Sequence, residues 1–257
     1  MTGPKRFLAT FLVLSLALSV TPTKAKTANV MVGVKQNMHA ELIAPDAGGP
    51  YPGILLLHTS GGLEQADIDY GQRLSQQGYV VLVPAFLSTY GISPRYRATT
   101  FTTDAEPIYA DFVAALDMLA HNPQVAGSKL GAIGFSNGGY FAMWLAATGK
   151  VQAGVSYYGA VSGAGTDRSL SRFKSAFNKS SAPVLILHGM DDGTVPVIAA
   201  QHLGSIVASA GSPYEIKLYD GAGHLFDRTP GSPPDSAAAN DAWQRTVAFF
   251  GKYLKTK

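Results

Sequence analysis

The sequence KLGAIGFSNGG, residues 129–139, decides the fold of this chain. Its apolar first half is typical of a strand buried on both faces, and the run after Ser136 favours a helix. Between them stands the pattern Gly-x-Ser-x-Gly, with Gly134 and Gly138. At a sharp strand-to-helix turn this pattern presents the serine hydroxyl above the strand end, where the helix dipole favours negative charge. Ser136 is therefore the candidate nucleophile. A glycine-rich turn with an incidental serine is the alternative.

Strands and helices alternate on both sides of this stretch. Predicted strands cover residues 28–34, 38–43, 53–58, 79–83, 129–135, 151–158, 184–188 and 214–219. Predicted helices cover residues 68–77, 104–121, 137–147, 197–210 and 237–253. The alternation indicates a parallel sheet with helices on both faces, joined by right-handed crossovers. No repeat or linker interrupts residues 26–257, which predicts one α/β domain. Residues 86–103 and 160–181 do not fit the alternation, and both follow strands at the edge where such sheets build sites.

The composition excludes several kinds of chemistry. The chain has 257 residues, of which 14% are charged, and it contains no cysteine. The low charge excludes disorder driven by charge. The lack of cysteine excludes disulfides, zinc–thiolate sites, iron–sulfur clusters and a cysteine nucleophile. Any covalent chemistry must therefore use another side chain.

The first 25 residues have the pattern of a secretory signal peptide. Lys5 and Arg6 form a basic start, residues 7–20 are apolar, and Thr23-Lys24-Ala25 resembles a cleavage site. The apolar part has 14 residues, fewer than the ~20 that span a bilayer as a helix. We therefore predict cleavage after Ala25 and a protein that works in the periplasm or outside the cell, without stable membrane association. An uncleaved membrane anchor is the alternative.

The same segment accounts for the basic isoelectric point of the whole chain. The whole chain has 20 Lys and Arg against 17 Asp and Glu, and its pI is 9.0. The segment carries three basic residues and no acidic one, so the mature chain has 17 of each and no net charge. The positive charge therefore does not indicate a nucleic-acid partner.

A serine nucleophile needs a histidine base, and in this kind of fold the histidine follows the acid along the chain. Three histidines lie downstream of Ser136. His224 stands in a glycine-containing loop directly after a predicted strand, and it is the predicted base. His202 lies inside a predicted helix and His188 ends a strand, so both are interpreted as structural.

Two adjacent aspartates are candidates for the acid that orients the base. Asp191 and Asp192 follow the predicted strand 184–188, and both cannot face one imidazole. Asp192 begins the loop pattern Asp-x-x-Val-Pro over residues 192–196, which favours it. Asp191 is then interpreted as a turn residue.

The remaining requirement is an oxyanion hole made of backbone N–H groups. One donor is expected from Asn137, the residue after the candidate nucleophile. The second is expected from the loop at residues 58–62, where Ser60 is preferred and Thr59 is the alternative. Gly61 and Gly62 also serve to turn the chain, and the two roles are compatible.

These pieces together resemble the dienelactone hydrolase family of α/β-hydrolases. The resemblance covers residues 52–58, 134–139, 155–159, 192–196 and 223–228. It implies the α/β-hydrolase fold, a mostly parallel sheet of about eight strands with helices on both faces, and no cofactor. It also implies hydrolysis of small esters or lactones through a covalent acyl-enzyme.

The chain departs from the founding members of that family at two positions. They have a cysteine nucleophile where this chain has Ser136, and a glutamate where it has Thr59. The two changes go together, because a serine has no thiolate to control. They favour a general carboxylesterase over an enzyme of true dienelactone turnover.

Arg228 carries the one indication of a substrate. The resemblance implies that this arginine binds a substrate carboxylate, for which a guanidinium is well suited. A structural salt bridge with Asp227 or Asp235 is the alternative. The second arginine of the family is expected just after Pro84 and is absent there.

Two other functions are compatible with these patterns. A small serine peptidase of the prolyl-oligopeptidase type would use the same triad, but such enzymes usually carry a large additional β-domain for which we expect no room here. A secreted binding module could keep the fold without turnover, and an intact triad argues against it.

Overall fold

The computed structural model describes residues 25–160, 167–228 and 233–255. The predicted signal peptide, residues 1–25, lies outside the described residues apart from Ala25, so its cleavage stays a prediction. Within the described ranges, no helix combines the length and the apolar character needed to cross a membrane.

The described residues form eight strands and seven α-helices, which alternate from β5 onward. The strands are β1 Ala25–Val32, β2 Met38–Pro45, β3 Tyr51–Leu57, β4 Val80–Pro84, β5 Val125–Phe135, β6 Ala153–Tyr157, β7 Val184–Gly189 and β8 Tyr214–Tyr219. The helices are α1 Gln65–Gln76, α2 Phe86–Thr89, α3 Ala105–Ala120, α4 Asn137–Ala147, α5 Asp167–Ala176, α6 Ile198–Ser209 and α7 Pro233–Phe250. A 3-10 helix covers Pro94–Phe101, and a π-helical turn, Gly251–Lys255, continues α7.

The strands form one sheet in the order β1-β2-β4-β3-β5-β6-β7-β8. β1 and β2 are antiparallel to each other, and β2 is antiparallel to β4. All the other neighbours are parallel. The expectation of a mostly parallel sheet of about eight strands with helices is confirmed.

Strand β3 shows how the sheet is buried on both faces. Leu55 and Leu57 belong to one core, which also holds α3 and α4, whereas Ile54 and Leu56 belong to the other, which also holds α1 and α7. All four side chains are fully buried. Successive side chains of a strand point to opposite faces, so only a continuous apolar run fits such a position.

The topology brings the candidate site residues to one edge. The carboxyl ends of the parallel strands β3, β5, β7 and β8 all lie there, and they are followed by residues 58–62, Ser136, Asp192 and His224. The two segments that did not fit the alternation follow β4 and β6. The first forms α2 and the 3-10 helix, and the described part of the second contains α5.

Candidate active site

The turn at Ser136 is strained, and its neighbours show why both glycines are needed. Ser136 has φ 51° and ψ −109°, a conformation that residues with a side chain rarely adopt. A Cβ atom on Gly134 would lie 2.1 Å from the carbonyl oxygen of Gly138. A Cβ atom on Gly138 would lie 2.1 Å from the carbonyl oxygen of Leu57. Only glycine therefore allows β5, α4 and β3 to approach so closely here.

Backbone hydrogen bonds hold this turn to the ends of both neighbouring strands. The N–H of Ser136 donates to the carbonyl of Tyr157 at 3.0 Å, at the end of β6. The N–H of Gly138 donates to the carbonyl of His58 at 3.1 Å, just after β3. The carbonyl of Ser136 accepts from the N–H of Ala160 at 3.0 Å. The position of the serine is thus set by β3, β5 and β6 together.

Asp192 and His224 are joined by a short hydrogen bond. The Nδ1 atom of His224 lies 2.7 Å from Oδ2 of Asp192. The other oxygen, Oδ1, accepts from the backbone N–H groups of Thr194 and Val195, each at 2.8 Å. When Nδ1 donates to Asp192, the neutral ring leaves Nε2 as an acceptor. This is the arrangement of a general base whose tautomer is set by a carboxylate.

A second histidine also contacts the carboxylate. The Nε2 atom of His188 lies 2.8 Å from the carbonyl oxygen of Val195 and 3.3 Å from Oδ2 of Asp192. Burial alone would raise the pKa of the Asp192 carboxyl. The hydrogen bonds from His188, His224 and the Val195 N–H outweigh burial and hold this pKa well below its usual range. Asp192 is therefore ionised at neutral pH.

The other sequence candidates for these two roles lie elsewhere. Asp191 is exposed, and its backbone N–H donates to the carbonyl of Ala222 at 3.0 Å. His202 is exposed on α6. Of the two adjacent aspartates, the structure thus places Asp192 against the histidine.

Tyr158 is a site residue that the sequence analysis did not single out. Its φ is 36°, and its ring centroid lies 4.6 Å from that of His224. Its hydroxyl donates a hydrogen bond to Asp227. The carbonyl of the preceding residue, Tyr157, accepts a hydrogen bond from the N–H of Ser136. The chain at the end of β6 therefore contacts the strained turn at Ser136, called the elbow from here on, through Tyr157 and His224 through Tyr158. The stretch 155–159 carried the resemblance, but nothing in it indicated a contact with His224.

The two predicted oxyanion donors lie on the turn after β3 and on the first turn of α4. The N–H of Asn137 has no acceptor within its helix, because the first N–H groups of a helix have none. The Asn137 side chain is buried and donates to Oγ1 of Thr100 at 2.7 Å, which connects α4 to the 3-10 helix. Ser60 is half-buried and follows Thr59, whose carbonyl is already hydrogen bonded.

Arg228 is buried and paired with a partner that sequence analysis did not name. Its side chain is 6% exposed, and Nη1 lies 2.9 Å from Oδ1 of Asp67 on α1. Its Nε lies 3.5 Å from Oδ2 of Asp227, and the guanidinium stacks over the ring of Phe135 at 4.2 Å. Asp235 accepts from the N–H of Gly223 at 2.8 Å, next to His224. The role of Arg228 in substrate binding stays a prediction.

Metal ligands do not cluster in the described part of the chain. No group of three or more His, Asp or Glu side chains there has the spacing to hold an ion.

This arrangement defines a class of protein. A serine on a strained turn after β5, an aspartate after β7 and a histidine after β8 of a mostly parallel eight-stranded sheet are typical of α/β-hydrolases. The family model described as "Dienelactone hydrolase family" matches residues 38–254. The chain therefore belongs to the dienelactone hydrolase family and is a hydrolase, which confirms the resemblance.

Three similar proteins illustrate the range of this fold. A carboxymethylenebutenolidase of Rhodococcus opacus is 40% identical over 127 residues, which cover 48% of this chain and 50% of that protein. A dienelactone hydrolase-like promiscuous phosphotriesterase from metagenomic libraries has a TM-score of 0.73 at 22% identity, covering 90% of this chain and 99% of that one. The acylaminoacyl peptidase of Pyrococcus horikoshii has a TM-score of 0.72 at 17% identity, covering 91% of this chain and 42% of that one. At these identities the two structures show the fold alone.

Proposed function

We propose that this hydrolase cleaves carboxylic esters or lactones through an acyl-enzyme on Ser136. The observation that carries the proposal is the 2.7 Å hydrogen bond between His224 and Asp192, at the sheet edge where the elbow presents Ser136. A nucleophile, a base and an acid that orients the base are the parts that acyl transfer requires.

In the proposed mechanism, Ser136 Oγ attacks the carbonyl carbon while Nε2 of His224 takes the hydroxyl proton. Asp192 stabilises the imidazolium that forms. The N–H groups of Ser60 and Asn137 donate to the oxygen that becomes negative in the tetrahedral intermediate. The intermediate collapses, and the leaving alcohol takes the proton from His224. Water then attacks the acyl-enzyme by the same route and releases the acid.

An ester or lactone is preferred to a peptide as the substrate. The Rhodococcus relative is named for a butenolide, which is a lactone, whereas the peptidase is similar only in fold. A panel that contains neutral esters, anionic esters, lactones and peptide amides tests this preference on the purified protein. We expect turnover of esters or lactones, and faster cleavage of peptide amides would contradict the proposal.

We also propose that Arg228 receives an acidic group of the substrate. Its Nη1 is used by Asp67, but its buried Nη2 has no hydrogen-bond partner among the described residues. A substrate carboxylate would supply that partner. In the same panel, Arg228→Met should raise KM for an anionic ester by roughly 10- to 100-fold relative to a neutral ester of similar size, the value of one charge-assisted contact.

The matched control for this variant is Arg245→Met. Arg245 is a partly exposed arginine on α7 that pairs with Asp241 at 2.6 Å, and its loss should leave both values of KM unchanged. An equal loss on anionic and neutral esters in Arg228→Met, together with a lower melting temperature, would instead assign Arg228 to a structural ion pair with Asp67.

We further propose that the enzyme acts in the periplasm or outside the cell after cleavage of residues 1–25, as the leader pattern indicates. When the full chain is expressed in a Gram-negative host, the intact mass of the periplasmic protein should lack this segment. An unprocessed chain in the membrane fraction would favour the anchor alternative.

A further inference from the structure

A buried histidine at the end of β3 has no part in the mechanism described so far. His58 is fully buried, and its ring stacks on Phe86 with the centroids 4.0 Å apart and the planes 12° from parallel. Burying a polar ring is unfavourable unless it makes hydrogen bonds, and an apolar side chain would fill such a place better. The hydrogen bond of this ring therefore requires an explanation.

That hydrogen bond defines the protonation of the ring. The Nδ1 atom of His58 lies 2.7 Å from the carbonyl oxygen of Thr59. A carbonyl oxygen only accepts, so Nδ1 carries the proton and Nε2 is bare. Nε2 is buried without a hydrogen-bond partner among the described residues. Burial lowers the pKa of His58 to about 4, against opposing effects of the Thr59 hydrogen bond and of Asp67, so the ring is neutral at ordinary pH.

The Thr59 carbonyl belongs to the same peptide unit as the N–H of Ser60. A trans peptide is planar, and its C=O and N–H point in opposite directions. A group that holds the Thr59 carbonyl therefore also directs the Ser60 N–H. The N–H of Gly62 contacts the same carbonyl at a longer 3.3 Å, and the N–H of Gly61 donates to Oγ1 of Thr59 at 3.1 Å. The His58 ring makes the shortest of these contacts.

The backbone of His58 is tied to the other side of the site. Its carbonyl accepts from the N–H of Gly138 at 3.1 Å, one residue after Asn137. His58 thus contacts the elbow through its main chain and the 59–62 turn through its ring. These are the two segments that supply the proposed donors to the oxyanion.

We propose that His58 is a positioning residue, whose Nδ1–H holds the Thr59–Ser60 peptide so that the Ser60 N–H faces the oxyanion. This inference rests on the proposed function of Ser136. A substitution of His58 should therefore slow the step in which negative charge develops on the substrate oxygen. It should change substrate binding little, because the neutral carbonyl of the bound substrate gains less from the Ser60 N–H than the oxyanion does.

Two substitutions separate the hydrogen bond from the packing of the ring. His58→Phe keeps an aromatic ring to stack on Phe86 but has no donor. His58→Asn loses the ring but keeps an N–H at about the same distance from the backbone as Nδ1. Loss of a whole oxyanion donor costs about 10²–10³ in kcat, so a misdirected one should cost about 10- to 100-fold in His58→Phe, with KM little changed. His58→Asn should recover most of kcat. The reverse ranking would overturn the proposal.

The affinity for a transition-state analogue gives a second measurement, which a general loss of folding stability would not change. A trifluoromethyl ketone forms a tetrahedral adduct with a serine and places an oxyanion in the hole. In His58→Phe its affinity should fall by about the same factor as kcat/KM. Unchanged affinity in a folded His58→Phe protein would refute the role of the ring.

The wild-type protein provides a test that does not depend on how the variants fold. The imidazole nitrogen-15 spectrum of His58 should show a protonated Nδ1 and a bare Nε2 from about pH 5 to about pH 8, as expected for a ring whose pKa is about 4. A proton on Nε2 would overturn the proposal.

Failure of this inference can be told apart from failure of the proposed function. If Ser136→Ala is inactive and a fluorophosphonate labels the wild type, full activity of His58→Phe rejects only the role of His58. If Ser136→Ala keeps its activity, the acyl-enzyme itself is rejected, and the positioning role is rejected with it.

Discussion

Replacing Ser136 with alanine should lower kcat for ester hydrolysis by about 10⁴–10⁶. The proposed acyl-enzyme forms on Oγ, and the chain contains no cysteine that could replace it. Alanine keeps the Cβ atom of serine, so the strained backbone at φ 51° is equally strained in both proteins. We therefore expect the melting temperature to change little. The measurement is steady-state turnover of the best ester, together with labelling by a fluorophosphonate probe, which should be lost.

Ser205→Ala is the matched control for this variant. Ser205 lies exposed on α6, and its hydroxyl donates within the helix to the carbonyl of Gln201. Turnover and labelling should both be retained in the control. An active Ser136→Ala protein would refute the mechanism, whatever the result for Ser205.

Replacing Asp192 with asparagine should lower kcat by about 10²–10⁴. The carboxylate accepts from Nδ1 of His224 at 2.7 Å and so leaves Nε2 of the neutral ring without a proton, as a general base requires. An asparagine can present its N–H₂ group instead, which stabilises the opposite tautomer and leaves Nε2 unable to take the proton. The buried amide also cannot stabilise the imidazolium that forms during the reaction.

Asp191→Asn removes the same charge one residue earlier in the loop. Asp191 is exposed, and its backbone N–H donates to the carbonyl of Ala222. Its replacement should change kcat far less than Asp192→Asn does. The kcat values of both variants, measured at one pH on one ester, decide the assignment, and the opposite order would place Asp191 in the triad.

Local patterns were enough to predict the sheet and the loops that carry the candidate site. Each of these patterns occupies no more than about ten residues of the chain: the apolar run of β3, the elbow around Ser136 and the turn residues near Asp192. Each depends on backbone conformation or on burial of a single strand, and a local sequence determines both. The preference for Asp192 over Asp191 came from such a loop pattern. The structure agrees in placing Asp192 against His224.

Three side-chain contacts near the candidate site were not predicted. Arg228 pairs with Asp67, which lies 161 residues earlier, and the sequence analysis named only nearby aspartates as partners. His58 is the last residue of the predicted strand 53–58, and nothing in that pattern indicates the contact of its ring with the Thr59 carbonyl. The ring contact between Tyr158 and His224 was also unpredicted. Unlike the Asp192–His224 pair, the Arg228–Asp67 and Tyr158–His224 contacts belong to no loop motif whose order along the chain would indicate them.

The amino-acid sequence by itself therefore determined the fold class, the strained serine turn and the order of serine, aspartate and histidine. These features follow from periodicity, from glycine at positions where a Cβ would clash, and from chain order. The tertiary structure alone decided what pairs with Arg228, what contacts Tyr158 and what the His58 ring holds. The Arg228–Asp67 pair joins the loop after β8 to α1, Tyr158 after β6 meets His224 after β8, and the His58 ring reaches the Thr59 carbonyl only in the folded turn after β3. Such contacts are set when the sheet and its covering helices are assembled, so no short stretch of sequence specifies them.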